Sequence, residues 1–149
     1  MAGATIAVAS DHAGFDLKEL LKRDLQEAGL AVLDLGTHST ASVDYPDFGQ
    51  ALGDAVAAGR AEKGVLVCGT GIGISIAANR NPKVRAAVVH DVTSARLARQ
   101  HNDANVVAFG ARLLGTEVAR DALKVFLNTE FEGGRHAGRV AKLSRDPLK

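Results

Sequence analysis

Cys68 is the only cysteine in the chain, and Gly69-Thr70-Gly71-Ile72-Gly73-Ile74-Ser75 follows it directly. Glycines at alternate positions let a backbone turn without Cβ clashes and aim successive N–H groups into one concavity. Where such a turn opens a helix, the concavity can cradle an anion. A dinucleotide fingerprint fails on spacing, because Gly69-x-Gly71-x-Gly73 is not G-x-G-x-x-G, although Asp91 lies twenty residues past Gly71. A P-loop is excluded, since no Gly-Lys-Ser/Thr follows. A cradle for a carbonyl or enediolate oxygen fits, and so does a tight turn without a ligand. Cys68 likewise reads two ways. A lone cysteine is commonly a buried apolar residue, whereas a thiol beside a helix N-terminus is placed to act as base or nucleophile.

Other reactive types cluster after apolar runs. Asp11 and His12 follow the first run, His90 and Asp91 the fourth, and Gly110 and Arg112 the fifth. His101 and Asn102 close a helical stretch. There the imidazole reads either as an ordinary helix-end residue or as an acid–base group brought to the same rim as Cys68. Arg112, Arg135 and Arg139 are phosphate candidates, because a guanidinium fork gives paired charge-assisted bonds. Arg135 and Arg139 are four apart, so one helix face can carry both. The competing reading is a solvated basic tail over residues 132–149. The single cysteine and scattered histidines show no H-x-x-x-H or paired C-x-x-C spacing, so no metal is expected.

The elements that must position these groups alternate. Strand-like runs fall at 5–9, 31–35, 64–68, 85–89 and 106–109. Helical patterns fall at 15–28, 48–58, 74–79, 92–101 and 115–127. Residues 36–47 read as a loop. Lys18, Glu19, Lys22 and Arg23 fill the polar face of the first helix. The pattern predicts an α/β fold, a Rossmann-like three-layer sandwich with a five-stranded parallel sheet and helices on both faces. Ligands in such folds bind at the carboxyl ends of the strands, where strand order switches.

Composition narrows the class. The 149 residues suit one domain spanning 1–149, and 4% aromatics leave the core to Ala, Val, Leu and Ile. A net charge of +1 argues against general nucleic-acid binding. One cysteine forbids an intrachain disulfide and points to a reducing, cytoplasmic setting. No apolar stretch approaches the ~18 residues of a membrane span.

Five segments stand out in order along the chain: Ser10-Asp11-His12-Ala13-Gly14-Phe15, Asp44-Tyr45-Pro46, Cys68-Gly69-Thr70-Gly71-Ile72-Gly73-Ile74-Ser75-Ile76-Ala77-Ala78-Asn79, Arg99-Gln100-His101-Asn102-Asp103 and Gly133-Gly134-Arg135-His136. Together they resemble the B-type ribose-5-phosphate isomerase family, which also includes galactose-6-phosphate isomerase subunits. They occur in family order over nearly the whole chain. The resemblance implies a cofactor-free aldose–ketose isomerase of a phosphorylated sugar, working through an enediolate. It implies Cys68 as base, His101 as the ring-opening acid, and Thr70 near the ring oxygen. The backbone of Gly69, Thr70, Gly71, Ile72 and Gly73 matches the oxyanion site. Asp11 and Asn102 match hydroxyl-binding positions, Tyr45 a substrate contact, and His12, Arg112, Arg135 and Arg139 the phosphate site. One family branch replaces the cysteine with a Glu in the glycine turn. Ile74 stands at that position here, so the chain resembles the cysteine branch. The family implies a homodimer, or a tetramer of paired dimers, with each site shared between subunits and Arg135 and Arg139 reaching the partner's site. Ribose 5-phosphate and ribulose 5-phosphate are the expected substrates. The rivals are a four- or six-carbon phosphosugar and a non-catalytic sugar-phosphate or nucleotide-binding module.

Overall fold

A computed structural model describes residues 3–145 and Leu148. The elements are β1 (Thr5–Ser10), α1 (Phe15–Glu27), β2 (Ala31–Asp34), α2 (Tyr45–Ala57), β3 (Lys63–Cys68) and α3 (Ile72–Ala78). They continue with β4 (Ala86–Val88), α4 (Val92–Asn102), β5 (Val106–Gly110), α5 (Thr116–Leu127), a 3-10 turn (Gly134–His136) and α6 (Ala137–Leu143). All strand pairs are parallel, in the order β2-β1-β3-β5-β4. Strand order switches between β1 and β3, where Ser10 pairs with Val67.

The expected α/β sandwich is therefore present, and the reason is burial on both sheet faces. Ile6, Val8, Val65, Val67, Val107 and Phe109 pack under α1, α4 and α5 through Leu21, Leu25, Ala95, Leu123 and Phe126. Ala7, Ala9, Leu66, Cys68 and Ala108 pack under α2 and α3 through Leu52, Val56, Ile74 and Ala78. Each fully buried large side chain contributes about 1.5–3 kcal/mol. No helix among the described residues is long and apolar enough to cross a membrane.

Several boundaries differ from the sequence reading. Helix α2 begins at Tyr45 rather than at residue 48, because Asp44 is extended and Pro46 sits in the first turn, where its missing N–H costs nothing. Gly49 and Gly53, poor helix formers by propensity, let α2 close on α3. A Cβ at Gly49 would lie 2.6 Å from the Ile74 carbonyl oxygen, and one at Gly53 3.1 Å from that of Ala78. The basic tail is partly folded: Arg135 lies in the 3-10 turn and Arg139 in α6, so the two are not on one helix. Residues 146, 147 and 149 of that tail lie outside the described residues.

Candidate active site

Cys68 ends β3 at the switch point, is 4% exposed, and faces the α2/α3 layer. Its Sγ accepts a hydrogen bond from the Gly71 N–H at 3.1 Å. That bond needs the turn to fold back sharply, and Gly71 does so with φ +79°. A Cβ there would meet the Phe109 carbonyl carbon at 2.9 Å, so both conformation and space require glycine. Thr70 is exposed, and its Oγ1 accepts from the Ile72 N–H. The β5 end braces the cradle from the side. Ala111 N–H donates to the Cys68 carbonyl and Arg112 N–H to that of Gly69. The Arg112 guanidinium lies along Gly69, where a Cβ would stand 3.3 Å from its Nη1. On the opposite flank the Tyr45 ring covers Gly73 so closely that a Cβ would fall 2.5 Å from it.

Across the switch point, Asp11 is buried, and its Oδ1 accepts the Gly14 N–H at 3.0 Å. His12 Nδ1 accepts the Val43 N–H at 3.2 Å, which leaves Nε2 as the protonated nitrogen. The structure thus brings Asp11, His12, Tyr45, Cys68, the residues 69–73 and Arg112 to one end of the sheet. Asp91 is occupied otherwise. Its side chain accepts the Ser94 N–H and caps α4 in a capping box, which removes it as a ribose-binding acid.

His101 and Asn102 are not at this end. Helix α4 starts at the carboxyl end of β4 and runs back, so its C-terminus lies at the amino edge. There Arg85, just before β4, donates to the Asp103 carbonyl. The length of β5 separates the two edges by roughly 15 Å. The expectation of an imidazole delivered to the Cys68 rim therefore fails within one chain. Arg135 and Arg139 sit at the same far edge, since His136 between them stacks on His101 with ring centroids 4.3 Å apart.

Two supports were not singled out in the sequence. Lys18, expected on the polar face, is fully buried. Its Nζ donates to Asp34 Oδ1 at 2.9 Å and to the Thr37 carbonyl at 2.7 Å, while Lys22 also reaches Asp34. This pins the chain at Gly36 and Thr37, whose backbone exchanges hydrogen bonds with Ser10 beside Asp11. Burial on its own would raise the Asp34 carboxyl, but hydrogen bonds from Lys18, Lys22 and the Gly36 N–H outweigh it and hold it at about 2. The second support is His136, which the sequence offered only within the basic tail and the Gly133-Gly134-Arg135-His136 segment, without a role.

Residues 6–143 match the Ribose/Galactose Isomerase family. The chain is 46% identical over 139 residues to ribose-5-phosphate isomerase B of Escherichia coli, covering 93% of each. It is 42% identical to D-erythrulose-4-phosphate isomerase of Pectobacterium atrosepticum, covering 93% of this chain and 92% of that one. A solved structure of Clostridium thermocellum ribose-5-phosphate isomerase B superposes with a TM-score of 0.93 at 48% identity, over 94% of this chain and 95% of that one. With its cysteine–glycine cradle at the sheet's switch point and relatives matched along almost its whole length, the chain belongs to the Ribose/Galactose Isomerase family.

Proposed function

We propose that the protein interconverts ribose 5-phosphate and ribulose 5-phosphate through an enediolate, with Cys68 as base. The observation that carries this reading is a thiol at the β3 end held against the N–H of Gly71, inside a backbone cradle. In the forward direction a proton moves to the ring oxygen as the C1–O bond opens, and the C1 hydroxyl gives up its own to leave an aldehyde. Cys68 then lifts the hydrogen from C2. The electron pair forms the C1–C2 double bond, and negative charge collects on O1, for which the turn of residues 69–73 supplies backbone N–H donors beyond those of Gly71 and Ile72, which already serve Cys68 Sγ and Thr70 Oγ1. The thiol returns its proton to C1, and the O2 proton passes to O1, leaving the ketone. Tyr45 and Asp11 line the sugar site, while His12 and Arg112 are available to the phosphate, whose remote binding orients the reacting carbons.

The far-edge residues complete this site from a second copy. In this homodimer, His101 of the partner subunit opens the ring, Asn102 of the partner subunit binds a hydroxyl, and Arg135 and Arg139 of the partner subunit bind phosphate. Two features support it. One chain cannot bring its own His101 to Cys68, and α3 presents Ile72 and Ile76, 52% and 59% exposed, beside the cradle as an apolar stripe that a second copy would cover. A thiol base also requires a reducing setting, which supports a cytoplasmic enzyme. The relative acting on a four-carbon phosphosugar keeps tetrose phosphate as a second reading. An isomerase assay over phosphoaldoses of four to six carbons tests substrate and reaction together. Cys68→Ala is expected to lose turnover at least a hundredfold while still binding ribose 5-phosphate. Unchanged turnover in that variant would remove the thiol from the chemistry and favour a binding module.

A further inference from the structure

Glu132 and His136 take no part in the steps above, yet both are built around His101. The His136 ring stacks on the His101 ring at 4.3 Å between centroids and 16° between planes. The His136 side chain is 8% exposed, and its Nε2 has no hydrogen-bond partner among the described residues. The His101 side chain is 37% exposed. Glu132 Oε1 stands 3.7 Å from the Nε2 of each ring. The Glu132 backbone is anchored beside the pair, since its N–H donates to the Gln100 carbonyl on α4. All three ligand atoms lie within 4.8 Å of one another. Rings so nearly parallel, however, aim their in-plane lone pairs along separate lines rather than at one point, which is not a metal-binding layout.

The arrangement suits a positioned imidazole instead. Two imidazolium rings face to face would repel, and the single carboxylate 3.7 Å from both nitrogens is a counter-charge for a positive charge on either ring. Burial disfavours that charge on His136, and Arg135 on its own turn, the His101 ring and Arg139 on α6 add to the effect, while Glu132 opposes it. The His101 ring is the one of the two that is open to a substrate.

We infer that Glu132 and His136 are positioning residues for His101: the carboxylate beside its Nε2 orients the exposed imidazole, and the buried ring fixes its plane toward the partner's cradle. This rests on reading His101 as the ring-opening group.

The test separates ring opening from the carbon-proton step. Ribulose 5-phosphate stays open, because its C5 oxygen carries the phosphate. Solvent-deuterium exchange at its C1, followed by proton NMR, therefore needs the thiol and cradle but not the ring-opening acid. Glu132→Gln, at an exposed position, is expected to lower ribose 5-phosphate turnover about tenfold while exchange stays within about twofold. His136→Ala should show the same split, and His136→Phe, which restores a stacking ring, should recover most of the lost turnover. Equal losses in turnover and exchange, no loss of turnover in Glu132→Gln, or no recovery in His136→Phe would overturn the inference. Absence of exchange in the unsubstituted protein would instead bring down the thiol–enediolate reading beneath it.

Discussion

Gly110→Ala tests whether the position of the cradle, rather than the mere presence of its thiol, carries the activity. Gly110 ends β5 and pairs with Cys68 across the sheet. A Cβ built there would lie 2.6 Å from the Thr70 carbonyl oxygen, 2.7 Å from its carbon and 2.9 Å from its Cα. All three are backbone atoms, so no rotamer change relieves the contact. Against ordinary contact at 3.4 Å the shortfall is about 0.8 Å, and the cradle is the part that must give. Overpacking of this kind costs about 1–3 kcal/mol of stability. That corresponds to a fall in Tm of roughly 2–10 °C for a chain of this size, which leaves the protein folded at 25 °C. A displacement approaching 1 Å at the reacting atoms costs up to a hundredfold in rate, so kcat should fall roughly thirty- to a hundredfold, or ~2–3 kcal/mol of barrier. Turnover of ribose 5-phosphate and a thermal melt, measured on the same preparation, check both numbers. Gly115→Ser is the control, because a Cβ at Gly115 meets nothing within 4 Å and serine is a good helix N-cap. A folded Gly110→Ala protein with kcat within threefold of its parent would refute the claim that the backbone N–H groups of this turn stabilise the developing charge.

Two further predictions concern support and assembly. Asp34 is held at about 2, below its unfolded value near ~3.9, so its contribution is present above about pH 4 and is lost as pH falls toward 2. After allowance for solvent screening this amounts to about 1–2 kcal/mol, measurable as urea midpoints at pH 5 and pH 3. Asp34→Asn should remove that acid sensitivity and cost about 3 kcal/mol at neutral pH, because Lys18 stays buried without its main counter-charge. An equal acid loss in both proteins would count against the assignment. If each site combines Cys68 with the partner's His101, mixing inactive Cys68→Ala and His101→Ala chains after unfolding and refolding should restore about a quarter of the wild-type activity, since half the dimers then hold one intact site. No recovery in properly refolded mixtures would argue that both residues act from one chain by a route the fold does not provide.

Local chemistry was legible in the sequence. β-Branched runs separated by helical stripes specify a parallel sheet with helices on both faces, because each pattern reports burial within a few residues. The cradle was legible for the same reason: Cys68 and residues 69–73 are contiguous, so strand, turn and thiol come together without help from the rest of the chain. The same holds for Asp11 and His12 after β1, once the ligand-binding end of the sheet is known.

What the sequence could not give depends on distance along the fold. Periodicity put Lys18 on a polar face, but whether that face meets solvent or Asp34 and Thr37 depends on where β2 ends beside α1. Propensity alone counts Gly49 and Gly53 against a helix, and only the packing of α3 on them gives them a purpose. His101 sits on a helix that runs back along the sheet, and that direction places it at the amino edge with His136 and Glu132, a sheet's length from Cys68. The residue types of an isomerase site are thus written locally in the chain. Which of them share an edge was decided by the tertiary structure, because helix direction and strand order convert neighbours in sequence into opposite ends of the molecule.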